Sequence, residues 1–178
     1  MKRFGVLAFL LVAGYAQAFE KAPVSAAAVH GDGVALSTGP TEDIRALRDL
    51  FSKYQAGVKQ KDARTVLSLY LNESAPVISA LAAKSYAVIV AANPKQSIPR
   101  TTSYTAKDSV PNEVKNQPDE TSNLTINTDG TVGAVSFDYV LAQGNGHGRI
   151  SWSVIRTNDG WKIAAVLFSI NIPAADKT

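Results

Sequence analysis

Between Thr121 and Ile172 the chain alternates strand-forming runs with turn signals, and this order constrains the fold more than any other feature. The runs Thr121–Thr128 and Thr131–Leu141 flank Asp129-Gly130, and Arg149–Thr157 and Trp161–Ile172 flank Asn158-Asp159-Gly160. Asp-Gly supplies the left-handed backbone that a tight hairpin needs. The glycine-rich stretch Gln143 to Gly148 makes a further turn between the two pairs. Four antiparallel strands in a meander follow. If Gly160 forms a bulge after a three-residue loop, Thr157 lies opposite Trp161. Trp152 then faces Val166, Ile150 faces Phe168 and Val154 faces Ala164. On the other side of the sheet, Ser151 meets Leu167, Ser153 meets Ala165 and Ile155 meets Ile163. A slip of one residue would exchange the two sets.

Helices precede these strands. Thr41 can cap a first helix, with Glu42 and Asp43 at its positive end. Ile44, Leu47, Phe51, Tyr54 and Val58 recur at spacings of three and four, which makes one apolar stripe. Asp62 can cap a second, short helix carrying Val66, Leu67, Leu69 and Tyr70. Ala75–Leu81 reads as a strand. In Ala82–Asn93 alanine favours helix and Val88-Ile89-Val90 favours strand; helix is the expectation, ended by Pro94. Residues 95–120 carry Pro99, Pro111 and Pro118 and few large apolar groups. They read as a long polar loop with one edge strand, Arg100 to Lys107. Helices followed by a meander predict an α+β fold, with N-terminal helices packed on one face of a curved antiparallel sheet. The expected organisation is a single domain over 41–172 and a tail over 173–178.

The opening segment, MKRFGVLAFLLVAGYAQA, has Lys2 and Arg3, an apolar run from Phe4 to Gly14, and the small-x-small site Ala16-Gln17-Ala18. That is the order of a signal peptide over 1–18, cleaved after Ala18. The apolar run is too short to span a bilayer, which takes about 20 residues. Residues 19–40 have no period and read as a flexible segment in which His30 is a solvated loop residue. The chain has no cysteine, so neither a disulfide framework nor lipid attachment at a mature N-terminal cysteine is expected. The expectation is a periplasmic or secreted product with no stable membrane anchor. Loss of Lys2 and Arg3 lowers the formal charge of +3 by two, and the remaining charges are scattered. This excludes the basic footprint of a nucleic-acid binder.

The helix ending in GVKQKDARTVLSLY and the hairpin GRISWSVIRTNDGWKIAAVLFS resemble the nuclear-transport-factor-2-like superfamily, which includes SnoaL-like and ketosteroid-isomerase-like domains. The resemblance covers 41–172. It implies a cone-shaped α+β barrel with an internal pocket, and dimers packed through their sheets. It does not imply one activity, because such cones host isomerases, dehydratases, hydrolases, binding proteins and scaffolds.

Phe137, Tyr139, Trp152 and Phe168 share the face that the stripe with Phe51 and Tyr54 would cover. These six residues are the candidate ligand-binding set, weighed against ordinary core packing. Asp138 points to the other face, near Arg149, where a surface pair is the plainer expectation. His147, in the glycine-rich turn, has a suitable intrinsic pKa but no carboxylate beside it in sequence. His147 and Asp138 are therefore weak catalytic candidates. Tyr54 occupies a place where, by resemblance, related isomerases keep a tyrosine donor, but no buried acidic companion is evident. No metal site and no cofactor are expected. The outward residues Ile155, Ile163, Ala165 and Leu167 predict a homodimer through the sheet face. The function expected is an exported small-molecule-binding domain with an apolar or aromatic pocket, without catalysis. The alternatives are a lyase, isomerase or hydrolase of the same fold, and an interaction module of an envelope complex.

Overall fold

The computed structural model describes residues 37–142 and 146–172. The expected signal peptide, most of the segment 19–40, part of the Gln143–Gly148 turn and the tail lie outside the described residues. Helix α1, Thr41–Lys59, buries Leu47, Leu50, Phe51, Tyr54 and Val58 along one side. Pro40, rather than Thr41, is its N-cap residue, and no side chain caps the first turn. Asp62 caps α2, Ala63–Ser68, by accepting the Thr65 backbone N–H at 3.0 Å. Gly57 lets the two helices close: a Cβ there would lie 2.7 Å from Val66 Cγ2.

The remaining elements are β1 (Pro76–Leu81), α3 (Ala83–Ala92), β2 (Thr101–Thr105), α4 (Ala106–Glu113), β3 (Glu120–Thr128), β4 (Val132–Val140), β5 (His147–Thr157) and β6 (Gly160–Ile170). They form an open six-stranded sheet in the order β2-β1-β6-β5-β4-β3. The α+β class stands, but the sheet is mixed rather than antiparallel. β1 runs parallel to β6, with Val77 beside Val166 and Ser79 beside Phe168. A parallel pair needs a long crossover, and nothing local in the chain announces it.

Residues 95–120 are also more ordered than expected. They contain edge strand β2 and helix α4. Thr105 caps α4 by accepting the Asp108 N–H at 3.2 Å and donating its own hydroxyl to the Asp108 carboxylate at 2.7 Å. The hydroxyl thus satisfies one free N–H of the first turn while the carboxylate holds it in place. Pro111 sits inside the helix on an exposed position, where it removes only one intrahelical bond.

The final hairpin keeps the expected pairs over half its length. Ile150 faces Phe168, Ser151 faces Leu167, Trp152 faces Val166 and Ser153 faces Ala165. Nearer the turn the register differs. Thr157 lies opposite Gly160 across the two-residue turn Asn158-Asp159, and Val154 pairs with Ile163. The extra residue is Ala164, a bulge in β6 rather than at Gly160. There β6 changes neighbour: Ile163 donates to Leu69 O at 2.9 Å and accepts from Leu71 N at 2.8 Å, while β1 takes over from Val166. A bulge bends its strand at such a change. The result turns Ile163 inward, fully buried, so it does not belong to the outer face with Ile155, Ala165 and Leu167.

The tip of this hairpin is tied to the start of α1. Asp43, 4% exposed, accepts the indole N–H of Trp161 at 3.2 Å and the guanidinium of Arg156. Asp43→Ala would leave the Trp161 donor buried and unpaired. We expect a loss of about 2–3 kcal/mol in urea unfolding, from that donor and the half-exposed ion pair together. A loss below about 0.5 kcal/mol would show that the tie is not structural.

Candidate functional site

Alternation along the strands sends Val135, Phe137 and Tyr139 of β4 and Trp152 and Val154 of β5 to the concave face, all of them buried. The stripe of α1 lies against them. Phe51 and Phe137 have ring centroids 4.8 Å apart, Phe137 and Trp152 5.2 Å, Phe51 and Trp152 5.9 Å, and Tyr54 and Trp152 4.7 Å. Four of the six aromatic candidates therefore meet in one cluster. Phe168 is partly buried and packs against the edge of the core. Tyr139 is buried nearby and donates its hydroxyl to the Ser169 carbonyl at 2.9 Å.

The rings close on one another rather than around an open space. Two depressions on the described residues lie elsewhere. One, of about 350 Å³, sits outside the cone between α1 and the β5–β6 turn, beside Asp43, Lys53, Arg156 and Lys162. The other lies at α2, beside Arg64 and Glu73.

Two polar features accompany the cluster. The indole N–H of Trp152 is fully buried and has no hydrogen-bond partner among the described residues. The hydroxyl of Tyr54 donates to the carboxyl group of Glu113, at the C-terminal end of α4. Burial pushes that carboxyl up from its ordinary 4.5 to about 7; the Tyr54 bond opposes the rise and the neighbouring Asp119 adds to it. Asp119 is itself raised by burial, against a bond from the Ala142 N–H at 3.3 Å. Tyr54 is raised by burial and by the Glu113 charge, Tyr70 for the same two reasons, and Tyr139 by burial and Asp119. Two carboxyl groups and three phenols thus share the end of the cone beneath α4.

Glu113 and Asp119 are the companions of Tyr54 that the sequence did not disclose. The signal that could have found Glu113 was Thr105-Ala106-Lys107-Asp108, a helix start, with Glu113 two turns further on. The weak catalytic candidates lie apart from the cluster. Asp138 sits directly opposite Arg149 and pairs with it at 2.7 Å, and it also accepts from Asn123. His147 is exposed at the start of β5, where its backbone bonds Asn171. Among the described residues no group of three or more His, Asp or Glu side chains could hold a metal ion.

Solved structures share this architecture. An NTF2-like protein of unknown function from Shewanella baltica OS155 superposes with a TM-score of 0.54 at 13% identity, over 78% of this chain and all of that one. An NTF2-like protein from Cytophaga hutchinsonii ATCC 33406 gives 0.52 at 11%, over 74% of this chain and 99% of the other. An NTF2-like protein with a cystatin-like fold from Novosphingobium aromaticivorans gives 0.51 at 14%, over 75% and 85%. No family model matches the sequence, and no curated protein matches it. The chain has the nuclear-transport-factor-2-like fold, as its helix and closing hairpin led one to expect. At these identities the likeness concerns fold, and the chemistry has to come from the residues.

The raised Glu113 carboxyl makes stability depend on pH. The folded state holds the proton up to about pH 7, while the unfolded chain releases it near 4.5. Between these values the folded state binds more protons, so stability falls as pH rises and then levels off above pH 7. The expected drop is about 3 kcal/mol, and Glu113→Gln should flatten it. Urea midpoints measured from pH 4.5 to 8 check this; a wild-type profile parallel to that of the variant would contradict it.

Proposed function

We propose that the protein is an exported binder of a small apolar or aromatic molecule, held in the cone among Phe51, Tyr54, Phe137 and Trp152. Tyr139 and Phe168 stand at the margin of that site. The unpaired, fully buried N–H of Trp152 carries this reading. A donor left without a partner costs about 1–3 kcal/mol, and an acceptor atom on a ligand would remove that cost. The ligand parts the rings, entering beneath α4 and the connection over 114–119.

Binding without turnover is the primary reading, since Asp138 is engaged with Arg149 and His147 is exposed at the start of β5. One observation favours an enzyme as the second reading. Glu113, bonded to Tyr54 and titrating near neutrality, has the pKa of a general acid or base. A lyase, isomerase or hydrolase built here would use Glu113 in place of His147 or Asp138.

Aromatic alcohols and ketones should change the emission of the two tryptophans saturably, and Trp152→Phe should weaken that response at least about tenfold. No saturable response across such a panel would defeat the reading. Turnover of any bound compound that Glu113→Gln abolishes, and that His147→Ala and Asp138→Asn leave intact, would move the protein to the enzymes.

We also propose that a second copy covers the outer face of the sheet. Leu167 is 49% exposed there, with Ala165, Ile155 and the hydrogen-bonded pair Ser136–Ser151 around it. The mature chain, beginning at Phe19 once the signal peptide is removed, should run as a dimer in light scattering. Leu167→Lys should run as a monomer; a wild-type monomer would refute the proposed interface.

A further inference from the structure

Among the described residues no positive charge balances the carboxyl groups in the cone. Glu113 meets Tyr54 from α1, Tyr70 from the turn after α2, and Asp119 from the connection that follows α4; Tyr139 of β4 lies beyond Asp119. Among the described residues no Lys, Arg or His enters this group. The ion pairs among the described residues join Lys107 to Glu73, Arg149 to Asp138 and Arg156 to Asp43, all outside it. Two partly buried carboxyl groups beside aromatic rings form the environment that an organic cation favours: opposite charge at one end, and ring faces that attract an ammonium group beside it.

The cluster has a second, independent demand. Trp152 packs edge-on against the Tyr54 ring, whose hydroxyl holds Glu113, and its own buried N–H finds no acceptor among the described residues. A bare ammonium group cannot satisfy it, because an ammonium only donates. The missing partner must bring a lone pair as well as a positive charge.

Resting on the ligand-binding reading above, we propose that the molecule held in the cone is a protonated aromatic amine that also carries an oxygen acceptor. Its ammonium group meets Glu113 and Asp119, its ring lies among Phe51, Tyr54 and Phe137, and its oxygen accepts the N–H of Trp152. A β-hydroxylated arylalkylamine is the simplest molecule with all three parts. Binding draws on the ionised form of Glu113, so affinity rises with pH through the range in which that group titrates, about 7. A neutral ligand that accepted a proton from Glu113 would show the opposite trend.

Calorimetric titration with two probes of nearly equal shape tests this. 2-Amino-1-phenylethanol carries the ammonium, and 1-phenylethane-1,2-diol replaces it with a hydroxyl. The amine should bind at least about tenfold more tightly than the diol. Its affinity should rise about tenfold from pH 6 to pH 8, following the ionised fraction of Glu113. Glu113→Gln, which keeps the shape and can still accept from Tyr54, should erase both the preference and the pH trend. Asp119→Asn should reduce the preference, and it carries the test if Glu113→Gln fails to fold. 2-Phenylethylamine, which lacks the oxygen, should bind more weakly than the amino alcohol to the wild type and equally to Trp152→Phe. If the diol binds as well as the amine, the cationic ligand class is wrong while an aromatic ligand in the cone survives. If neither probe binds, the ligand-binding reading fails along with it.

Discussion

The indole of Trp152 is the contact on which the two layers depend. It is fully buried, and it touches Phe51 and Tyr54 from the helix and Phe137 from the neighbouring strand. Burying an aromatic ring of this size removes on the order of 200 Å² from water. That outweighs the cost of leaving one N–H unpaired, so the fold tolerates a polar atom in the driest place it has. The same balance explains why Tyr54 can sit beside it. Its ring contributes apolar area, and its hydroxyl reaches the end of α4, where Glu113 accepts it.

Local rules were enough wherever the information was local. The stripe of α1, the Asp62 cap, the Asp129-Gly130 hairpin and the pairs from Ile150–Phe168 to Ser153–Ala165 were all legible, since each depends on spacing or on a turn a few residues away. The bulge at Ala164 was not. It arises where β6 passes from Leu69–Leu71 to β1, and those neighbours come from about ninety residues earlier in the chain. The parallel β1–β6 pair is hidden from the local sequence for the same reason. α4 was hidden by Pro111, which reads as a breaker but falls on an exposed position of a helix too short to suffer much from it.

The candidate site divides along the same line. Phe51, Tyr54, Phe137 and Trp152 were identifiable because helix and strand periodicity alone place them on facing surfaces. Glu113 and Asp119 were not, because their importance comes from who else is near. Glu113 lies 59 positions from Tyr54 and bonds it only once α4 has docked. A glutamate followed by Lys115, Asn116 and Gln117 looks like solvated surface until burial shifts its proton affinity. Asp138 shows the converse: prominent in mid-strand, it proves to be the surface partner of Arg149.

The strand order has a consequence for biogenesis. β6, the last of the described strands, lies between β1 and β5, so it joins the two halves of the sheet. Until it arrives, β1 and β2 have no third strand beside them and β5 has an open side, and two strands alone are marginal in water. The sheet is complete only once β6 has been made and has paired on both sides. Closure of the sheet is therefore a late, long-range step.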